Sequence, residues 1–277
     1  MVDLHITMPS GAEYMERTIL AIGDIIGKPG MRALFAMLPK MKKTYKADLT
    51  IVNGENASDG FGLTPELADT IFQSGADVIT SGNHIWQQRE IYRYLDEQPM
   101  MLRPANYPSG NPGHGSCIFN AGGIRLAVLN LQGRYGMWPI DCPFKKANEL
   151  LRKVKSEADA VIVDFHAENP QEKEALAYHL DGKITALFGT HTHIQTADQR
   201  VLPSGTGFIT DIGSTGPDQS IIGFDANIGI QRHLTDLPLR NEVSENSAVV
   251  SALVVRFDEQ SPLTTTEIFP VREAAGF

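Results

Sequence analysis

TILAIGDIIGKPG, residues 18–30, contains the unit that decides the fold. Thr18–Gly23 is a short apolar run rich in branched residues, which is typical of a buried strand, and it ends in Gly23-Asp24. Pro29-Gly30 then opens a helical pattern whose apolar residues recur at three- and four-residue spacing. The alternation continues through predicted strands and helices at Leu49–Asn53, Thr64-Pro65-Glu66, Asp77–Ser81 and Gln87–Glu97. Such alternation predicts a parallel sheet flanked by helices.

The second half of the chain is richer in strand-like runs. Arg103–Gly123 contains five glycines and three prolines, and its composition predicts an ordered loop. The strands and helices predicted beyond it are Ile124–Leu131, Pro143–Ser156, Ala160–Phe165, Pro170–Leu180, Ile184–Gly189, Gly207–Ile212, Ser247–Phe257 and Thr264–Pro270. This order predicts an α/β fold in which two mixed sheets pack face to face with helices outside, a four-layer α/β/β/α sandwich. We expect a single domain over residues 15–277 and a non-core extension over residues 1–14.

Composition narrows the class of protein. The chain has 277 residues, 42% hydrophobic and 21% charged, which is ordinary for a globular protein. A net charge of −9 argues against stable nucleic-acid binding, which normally uses a basic face. Cys117 and Cys142 fit no disulfide framework or zinc-ribbon spacing and are interpreted as free thiols of a cytoplasmic protein. No apolar run approaches the roughly 18 residues that span a bilayer.

Polar clusters follow five of the predicted strands. Asp, Glu, Asn and His are the ligand types of a hydrolytic metal site, and α/β folds place their chemistry where strands end. The clusters are Gly23-Asp24, Asn53-Gly54-Glu55-Asn56, Gly82-Asn83-His84, Asp164-Phe165-His166 and Gly189-Thr190-His191-Thr192-His193. Taken together, they predict a metal-dependent phosphoesterase.

Each cluster alone has a structural interpretation. Asp24 could cap a turn or helix, and a single histidine such as His166 is more often a hydrogen-bonded core or surface group than a ligand. His191 and His193 differ, because an i, i+2 pair in extended backbone points both rings to one side, as chelation requires. We therefore predict that this segment is extended.

These motifs, in their order and spacing, resemble the five motifs of the calcineurin-like metallophosphoesterases. The resemblance is closest to the YmdB-type branch and spans residues 18–271. It includes Arg103-Pro104-Ala105-Asn106-Tyr107-Pro108 and Thr210-Asp211-Ile212-Gly213. The wider superfamily uses Asp-x-His and a bridging Asp, whereas this chain has Asp24-Ile25-Ile26 and Glu55, as the YmdB-type branch does.

The resemblance implies two metal ions, with Mn or Fe favoured. It implies that Glu55 bridges them and that Asn56 supplies the ligand which the missing histidine would have given. The implied ligands are Asp24, Asn56 and His193 for one metal, and Asn83, His166 and His191 for the other.

The resemblance also implies a reaction. The expected activity is hydrolysis of cyclic nucleotides, first among them 2′,3′-cyclic nucleoside monophosphates, by a hydroxide that bridges the metals. His84, adjacent to Asn83 but not a ligand by resemblance, is the candidate general acid for the leaving oxygen.

Several alternatives remain open. A phosphomonoesterase or 5′-nucleotidase could use the same site, and a regulatory RNA-associated protein with weak catalysis is a rival from another class. Glu168 could orient His166 or simply begin a helix, and Trp86 and Tyr107 could stack a base or belong to the core. We expect a small-molecule phosphodiester substrate, no membrane and a possible homo-oligomer.

Overall fold

Strands and helices alternate along the chain in a computed structural model that describes residues 15–276, so the predicted extension over residues 1–14 lies outside the described residues. The strands are β1 Glu16–Ile22, β2 Asp24–Ile25, β3 Leu49–Asn53, β4 Val78–Thr80, β5 Ser116–Ala121, β6 Ile124–Gln132, β7 Ala160–His166, β8 Ala186–Thr190, β9 Arg200–Val201, β10 Gly207–Ile209, β11 Ser214–Pro217, β12 Ala248–Asp258 and β13 Thr265–Ala274. The helices are α1 Gly27–Tyr45, α2 Pro65–Gln73, α3 Ile91–Glu97, α4 Pro143–Val154, α5 Pro170–Leu180 and α6 Ala226–Thr235.

The strands form two mixed sheets. The first has the order β2-β11-β12-β1-β3-β4, with β13 paired to β12, and the second has the order β5-β6-β7-β8-β10-β9. Within the first sheet β1, β3 and β4 are parallel, and within the second β6, β7, β8 and β10 are parallel. Because parallel strands end at the same edge, the polar clusters that follow them converge.

Three apolar clusters separate four layers. One joins the first sheet to α1–α3 through residues such as Leu34 and Ile71, and another joins the second sheet to α4 and α5 through Leu150 and Leu176. The third lies between the sheets, where Ile51 of β3 shares a cluster with Ile162 of β7 and Phe188 of β8. The predicted four-layer sandwich is confirmed.

A β-hairpin occupies part of the segment predicted as loop. β5 pairs antiparallel with β6, and Gly122 (φ +62°) and Gly123 (φ +108°) form the connection between Ala121 and Ile124. A two-residue Gly-Gly link between pairing runs is a strong hairpin signal, because glycine adopts positive φ without a steric penalty. The loop prediction over Arg103–Gly123 is therefore wrong for its last third.

Other boundaries also differ from the predictions. The helix predicted from Gln87 begins at Ile91, and the strand predicted over Gly207–Ile212 ends at Ile209. The sequence patterns predict neither β11 nor α6. β11 has the sequence Ser-Thr-Gly-Pro, whose composition is typical of a turn. Its extended conformation is determined by pairing with β2 and β12. No helix within residues 15–276 has the length and apolar character needed to cross a membrane.

Candidate metal centre

The layer between the sheets changes from apolar to polar at one end. Alternate residues of a strand face the same side, so the change can be followed along each strand. It runs from Ile51 to Asn53 on β3, from Ile162 to Asp164 on β7 and from Phe188 to Thr190 on β8. The loops that follow these strand ends carry the predicted ligands.

His166 is the centre of this polar region. Its Nε2 atom lies 2.9 Å from Asn83 Oδ1, 3.0 Å from His191 Nδ1 and 3.1 Å from Glu55 Oε1. One imidazole nitrogen can satisfy only one of these contacts with a proton. Ligand atoms of Glu55, His166 and His191 lie within 4.8 Å of one another, so a cation among them could bind all three.

Asp24 supplies a second indication. Its carboxylate is fully buried, and Oδ2 accepts a hydrogen bond from the backbone N–H of His191 at 3.3 Å. Within the described residues, Oδ1 has no hydrogen-bond partner and lies 3.9 Å from His166 Nδ1. Burial raises the pKa of Asp24 well above its usual range. A buried carboxylate oxygen without a partner is costly, and a bound cation would offset that cost.

Asn56 joins His193 and His84 to the cluster. Its Nδ2 donates to Glu55 Oε1 at 3.2 Å and lies 3.1 Å from His193 Nε2, while its Oδ1 lies 2.7 Å from His84 Nδ1. His193 Nδ1 donates to Ile222 O at 3.0 Å, which leaves Nε2 with its lone pair facing the cluster. The amide of Asn56 would have to rotate by half a turn to present Oδ1 beside His193.

His84 lies at the edge of the cluster. Its side chain is 24% exposed, and its ring contacts Phe61 edge-on at a centroid distance of 5.3 Å. The backbone N–H of His84 donates to Glu55 Oε2 at 3.1 Å and so orients that carboxylate. Since Nδ1 faces Asn56, Nε2 is the ring nitrogen that could exchange a proton with a substrate.

A relay across the two sheets orients His166. His166 Nδ1 donates to Thr190 Oγ1 at 3.0 Å, and Thr190 Oγ1 donates to Asp164 Oδ1 at 2.8 Å. Thr80 and Asn53, both from the first sheet, donate to Asp164 Oδ2. With its proton on Nδ1, His166 presents the lone pair of Nε2 to the cluster, as a metal ligand requires. The predicted motifs contain Asp164 and Thr190 but assign no role to either, because this role depends on contacts between sheets.

The buried carboxylates of the centre favour positive charge beside them. Burial lowers the pKa of His166, but the carboxylates of Glu55, Asp24 and Asp164 together raise it by more. The pKa of His166 is therefore raised to about 9. Burial opposes ionisation of Glu55, yet the nearby histidines, His166 first, hold its pKa well below its usual range. Burial and the charge of His166 lower the pKa of His191 to about 3. Buried acids gathered around histidines are a donor set that a divalent cation binds.

The end of β4 approaches these ligands through a glycine. A Cβ atom at Gly82 would lie 2.2 Å from His166 Cδ2, 2.3 Å from His166 Nε2 and 2.4 Å from Glu55 Oε2. Real Cβ contacts are not this short, so only glycine leaves room for the cluster. Gly82 appears in the predicted motif, but its steric role follows from the structure alone.

The predicted extended conformation of the histidine pair is wrong. β8 ends at Thr190, and His191 (φ +97°) and His193 (φ +64°) lie in the left-handed region. Thr192 between them donates through its N–H (3.1 Å) and Oγ1 (2.8 Å) to Asp211 Oδ2, which also forms a fully buried ion pair with Lys173 at 2.7 Å. Tertiary contacts therefore determine how this loop presents both rings, and sequence periodicity carried no signal for Lys173.

Glu168 contacts a different histidine from the one proposed. Its Oε2 lies 3.2 Å from His191 Nε2, and its side chain is 56% exposed. A proton on Nε2 of His191 directs Nδ1 of the same ring toward His166 and the cluster. Of the two alternatives for Glu168, the one in which it orients His166 is excluded, since Thr190 occupies that position.

Trp86 and Tyr107 pack against each other. Their rings meet edge-on at 5.3 Å, and Tyr107 donates its hydroxyl to Gln132 Oε1 at 3.2 Å. These contacts engage both side chains within the fold and favour the core interpretation over base stacking.

Two packed mixed sheets with outer helices, and acids, amides and histidines gathered at the strand ends, define a metallophosphoesterase fold. The sequence model of the YmdB-like protein family matches residues 20–268, and the chain belongs to this family.

Relatives of known sequence or structure agree with this membership. The chain is 47% identical over 243 residues to the 2′,3′-cyclic-nucleotide 2′-phosphodiesterase of Bacillus subtilis (strain 168), covering 88% of this chain and 92% of that one. A crystal structure of a novel phosphatase from Mycoplasma pneumoniae is similar with a TM-score of 0.89 and 32% identity, over 95% of both chains. A crystal structure of a hypothetical protein from Thermus thermophilus is similar with a TM-score of 0.87 and 38% identity, over 93% of this chain and 99% of that one.

Proposed function

We propose that the protein is a dinuclear metal-dependent phosphodiesterase that hydrolyses cyclic nucleotides, with 2′,3′-cyclic nucleoside monophosphates favoured. Membership of the YmdB-like family makes the chain a phosphoric diester hydrolase, and the relative from Bacillus subtilis carries that activity in its name. The convergence of Asn83, His191 and Glu55 on Nε2 of His166 is the observation that carries the proposal of a metal centre, and the contact of Glu55 with Asn56 supports a second ion beside the first.

Seven side chains would hold the metals, for which Mn or Fe is favoured. Their mixture of oxygen and nitrogen donors suits these ions and several others. A structural zinc site, by contrast, is usually rich in cysteine. We assign Asp24, Asn56 and His193 to one ion, Asn83, His166 and His191 to the other, and Glu55 to both. The unpartnered Oδ1 of Asp24 supports its place in the set.

Bound metal ions would supply an activated water and positive charge beside the phosphoryl oxygens. The chain supplies orientation and a proton. Thr190 and Asp164 hold His166 in the required tautomer, and the N–H of His84 holds Glu55. When the P–O bond breaks, His84 would donate a proton from Nε2 to the leaving oxygen as general acid.

A phosphomonoesterase is the second candidate, because the similar structure from Mycoplasma pneumoniae is of a phosphatase. A monoester carries about one more negative charge than a diester near pH 7. The described residues lining the cleft beside the centre are Asn83, Gly136, Met137, Trp138, Pro139 and His191. They include no lysine or arginine to match that additional charge, which favours the diester.

The remaining expectations concern the whole protein. We propose that residues 15–277 act as one metallophosphoesterase domain and that its partner is a small-molecule phosphodiester. Cytoplasmic location, a homo-oligomeric state and the lack of stable nucleic-acid binding stay predictions.

Hydrolysis of bis(p-nitrophenyl) phosphate, compared with p-nitrophenyl phosphate, tests the proposed activity. Each ester is assayed with Mn²⁺ and with EDTA, in wild type, in His191→Ala and in His233→Ala. His233 is the matched control, since it is exposed on α6 and outside the cluster. We expect diester turnover that EDTA and His191→Ala abolish and His233→Ala leaves intact. Preference for the monoester would establish the phosphatase, and metal-loaded protein inactive on both esters would refute a general phosphodiesterase.

A further inference from the structure

A cleft of about 390 Å³ adjoins the metal centre. Asn83 and His191 form its inner wall, and the outer wall is a segment of the loop between β6 and α4, residues 136–139. The volume falls within the range of small-molecule sites, roughly 300–1,000 Å³. A substrate whose phosphate reached the centre would extend the rest of its body into this cleft.

Trp138 lines the cleft and is 81% exposed. Trp side chains normally bury most of their large apolar surface. Among the described residues, however, the ring of Trp138 has no aromatic partner, whereas Trp86 contacts both Tyr92 and Tyr107. An exposed indole beside a reaction centre offers a free stacking face.

The backbone that carries Trp138 is held at both ends. The Glu172 carboxylate accepts the N–H groups of Arg134 and Tyr135 at 3.0 Å each. Beyond Trp138, Asp141 donates its N–H to Asn106 O at 3.0 Å, and Asn106 Nδ2 donates to Asp141 O at 2.9 Å. Because the backbone of this loop is already held, little backbone entropy is lost when a ligand binds against Trp138.

The tip of the same loop meets the centre through Glu168. A Cβ atom at Gly136 would touch Glu168 Cγ at 3.4 Å, and Glu168 in turn contacts His191 Nε2 at 3.2 Å. Gly136, two residues before Trp138, therefore lies beside the side chain that contacts the proposed metal ligand His191.

We infer that Trp138 is the platform on which the nucleobase of the substrate stacks while the cyclic phosphodiester occupies the metal centre. This inference rests on the proposed function and names the part of the substrate that the cleft recognises. Every base presents a π-face, so a stacking platform tolerates all of them. The side chains of Met137, Trp138 and Pro139 in the outer wall are mainly apolar, so we expect both purine and pyrimidine cyclic nucleotides to be substrates, with purines moderately preferred through larger overlap.

A pair of substrates isolates the contribution of the base. The first is 2′,3′-cyclic AMP, and the second is methyl ribofuranoside 2,3-cyclic phosphate, which keeps the sugar and the cyclic diester but has no base. Mn²⁺-loaded wild type, Trp138→Ala, Trp138→Phe and Tyr135→Ala are assayed on both. Tyr135 is the matched control, since it is a 72% exposed aromatic residue of the same loop outside the cleft lining.

We expect Trp138→Ala to lower kcat/KM for 2′,3′-cyclic AMP about tenfold, mainly through KM, as loss of one base–aromatic stack predicts. Trp138→Phe should recover most of the loss, Tyr135→Ala should match wild type, and kcat/KM for the base-free substrate should not change in any variant. Equal losses on both substrates, or no loss on 2′,3′-cyclic AMP, would overturn the inference.

Failure of the proposed function gives a different result. Wild type would then hydrolyse neither cyclic diester, and binding can still be measured by fluorescence. The chain has two tryptophans, so Trp86→Phe leaves Trp138 as the single indole. Saturable quenching by 2′,3′-cyclic AMP, but not by the base-free compound, supports the platform, and no quenching refutes it.

Discussion

A methyl group added at Gly82 would enter the space where the proposed ligands meet. In Gly82→Ala the new Cβ would lie 2.2 Å from His166 Cδ2 and 2.4 Å from Glu55 Oε2. Non-bonded carbon atoms prefer separations of about 3.5–4.0 Å. The His166 ring and the Glu55 carboxylate would therefore have to retreat by about 1 Å or more, and both are fully buried, with little space to do so.

The expected loss falls on metal binding more than on folding. Overpacking of this kind destabilises a protein by about 1–3 kcal/mol, less than a typical folding free energy of about 5–15 kcal/mol. A misplacement of about 1 Å in a reacting group can reduce the rate on the order of 100-fold. We therefore expect Gly82→Ala to fold. It should bind Mn²⁺ at least tenfold more weakly, which is the size of loss seen when the orientation of metal ligands is disturbed. It should also hydrolyse diesters about 100-fold more slowly.

Calorimetric titration with Mn²⁺ and hydrolysis of bis(p-nitrophenyl) phosphate measure these two losses, and circular dichroism checks the fold. Gly110→Ala is the control, since a Cβ there would meet nothing within 4 Å and the change strains only a surface backbone at φ +92°. If folded Gly82→Ala binds Mn²⁺ and turns over substrate like wild type, the ligands do not meet where the structure brings them together.

Three further experiments test the general acid, a buried ion pair and the burial of a cysteine. His84→Ala should retain bound Mn²⁺ but lose roughly 10²–10⁴-fold in kcat, the usual contribution of a general acid; wild-type turnover would remove His84 from the mechanism. Lys173→Met leaves the buried Asp211 carboxylate without its cation and should lower the free energy of unfolding by about 3–5 kcal/mol in urea titrations; an unchanged midpoint would show that this pair does not stabilise the fold. Burial raises the pKa of the Cys117 thiol to about 12, so iodoacetamide at pH 8 should label the partly exposed Cys142 first in native protein, and both cysteines in urea; equal native labelling would contradict the burial of Cys117.

The layer order of the fold could be predicted from the sequence because apolar residues recur at different spacings in strands and in helices. Runs such as Leu49–Asn53 and Ala160–Phe165 lie in β3 and β7 with at most one residue of difference at either end. The hairpin strand Ser116–Ala121 was not recognised, because the many glycines and prolines before it dominate the local composition. β11 depends on its partners for its conformation and has no strand pattern of its own.

The candidate site was accessible to the extent that its residues follow strands directly. Polar clusters after parallel strands must meet at one edge, and the structure brings all eight predicted residues into one connected set of contacts. The Asp164–Thr190 relay lies on two strands, and Lys173 reaches Asp211 from a helix, so neither follows from spacing along the chain. The left-handed backbone at His191 contradicts the simple period-two argument, since hydrogen bonds from Thr192 to Asp211 override the preference for extended backbone.

Stepwise addition of Mn²⁺ to metal-free protein, with hydrolysis of 2′,3′-cyclic AMP followed at each step, tests the dinuclear phosphodiesterase most directly. The seven proposed ligands predict no turnover before metal is added and a rate that rises until two equivalents are bound. A plateau at one equivalent, or hydrolysis by protein freed of metal, would contradict a centre built for two ions.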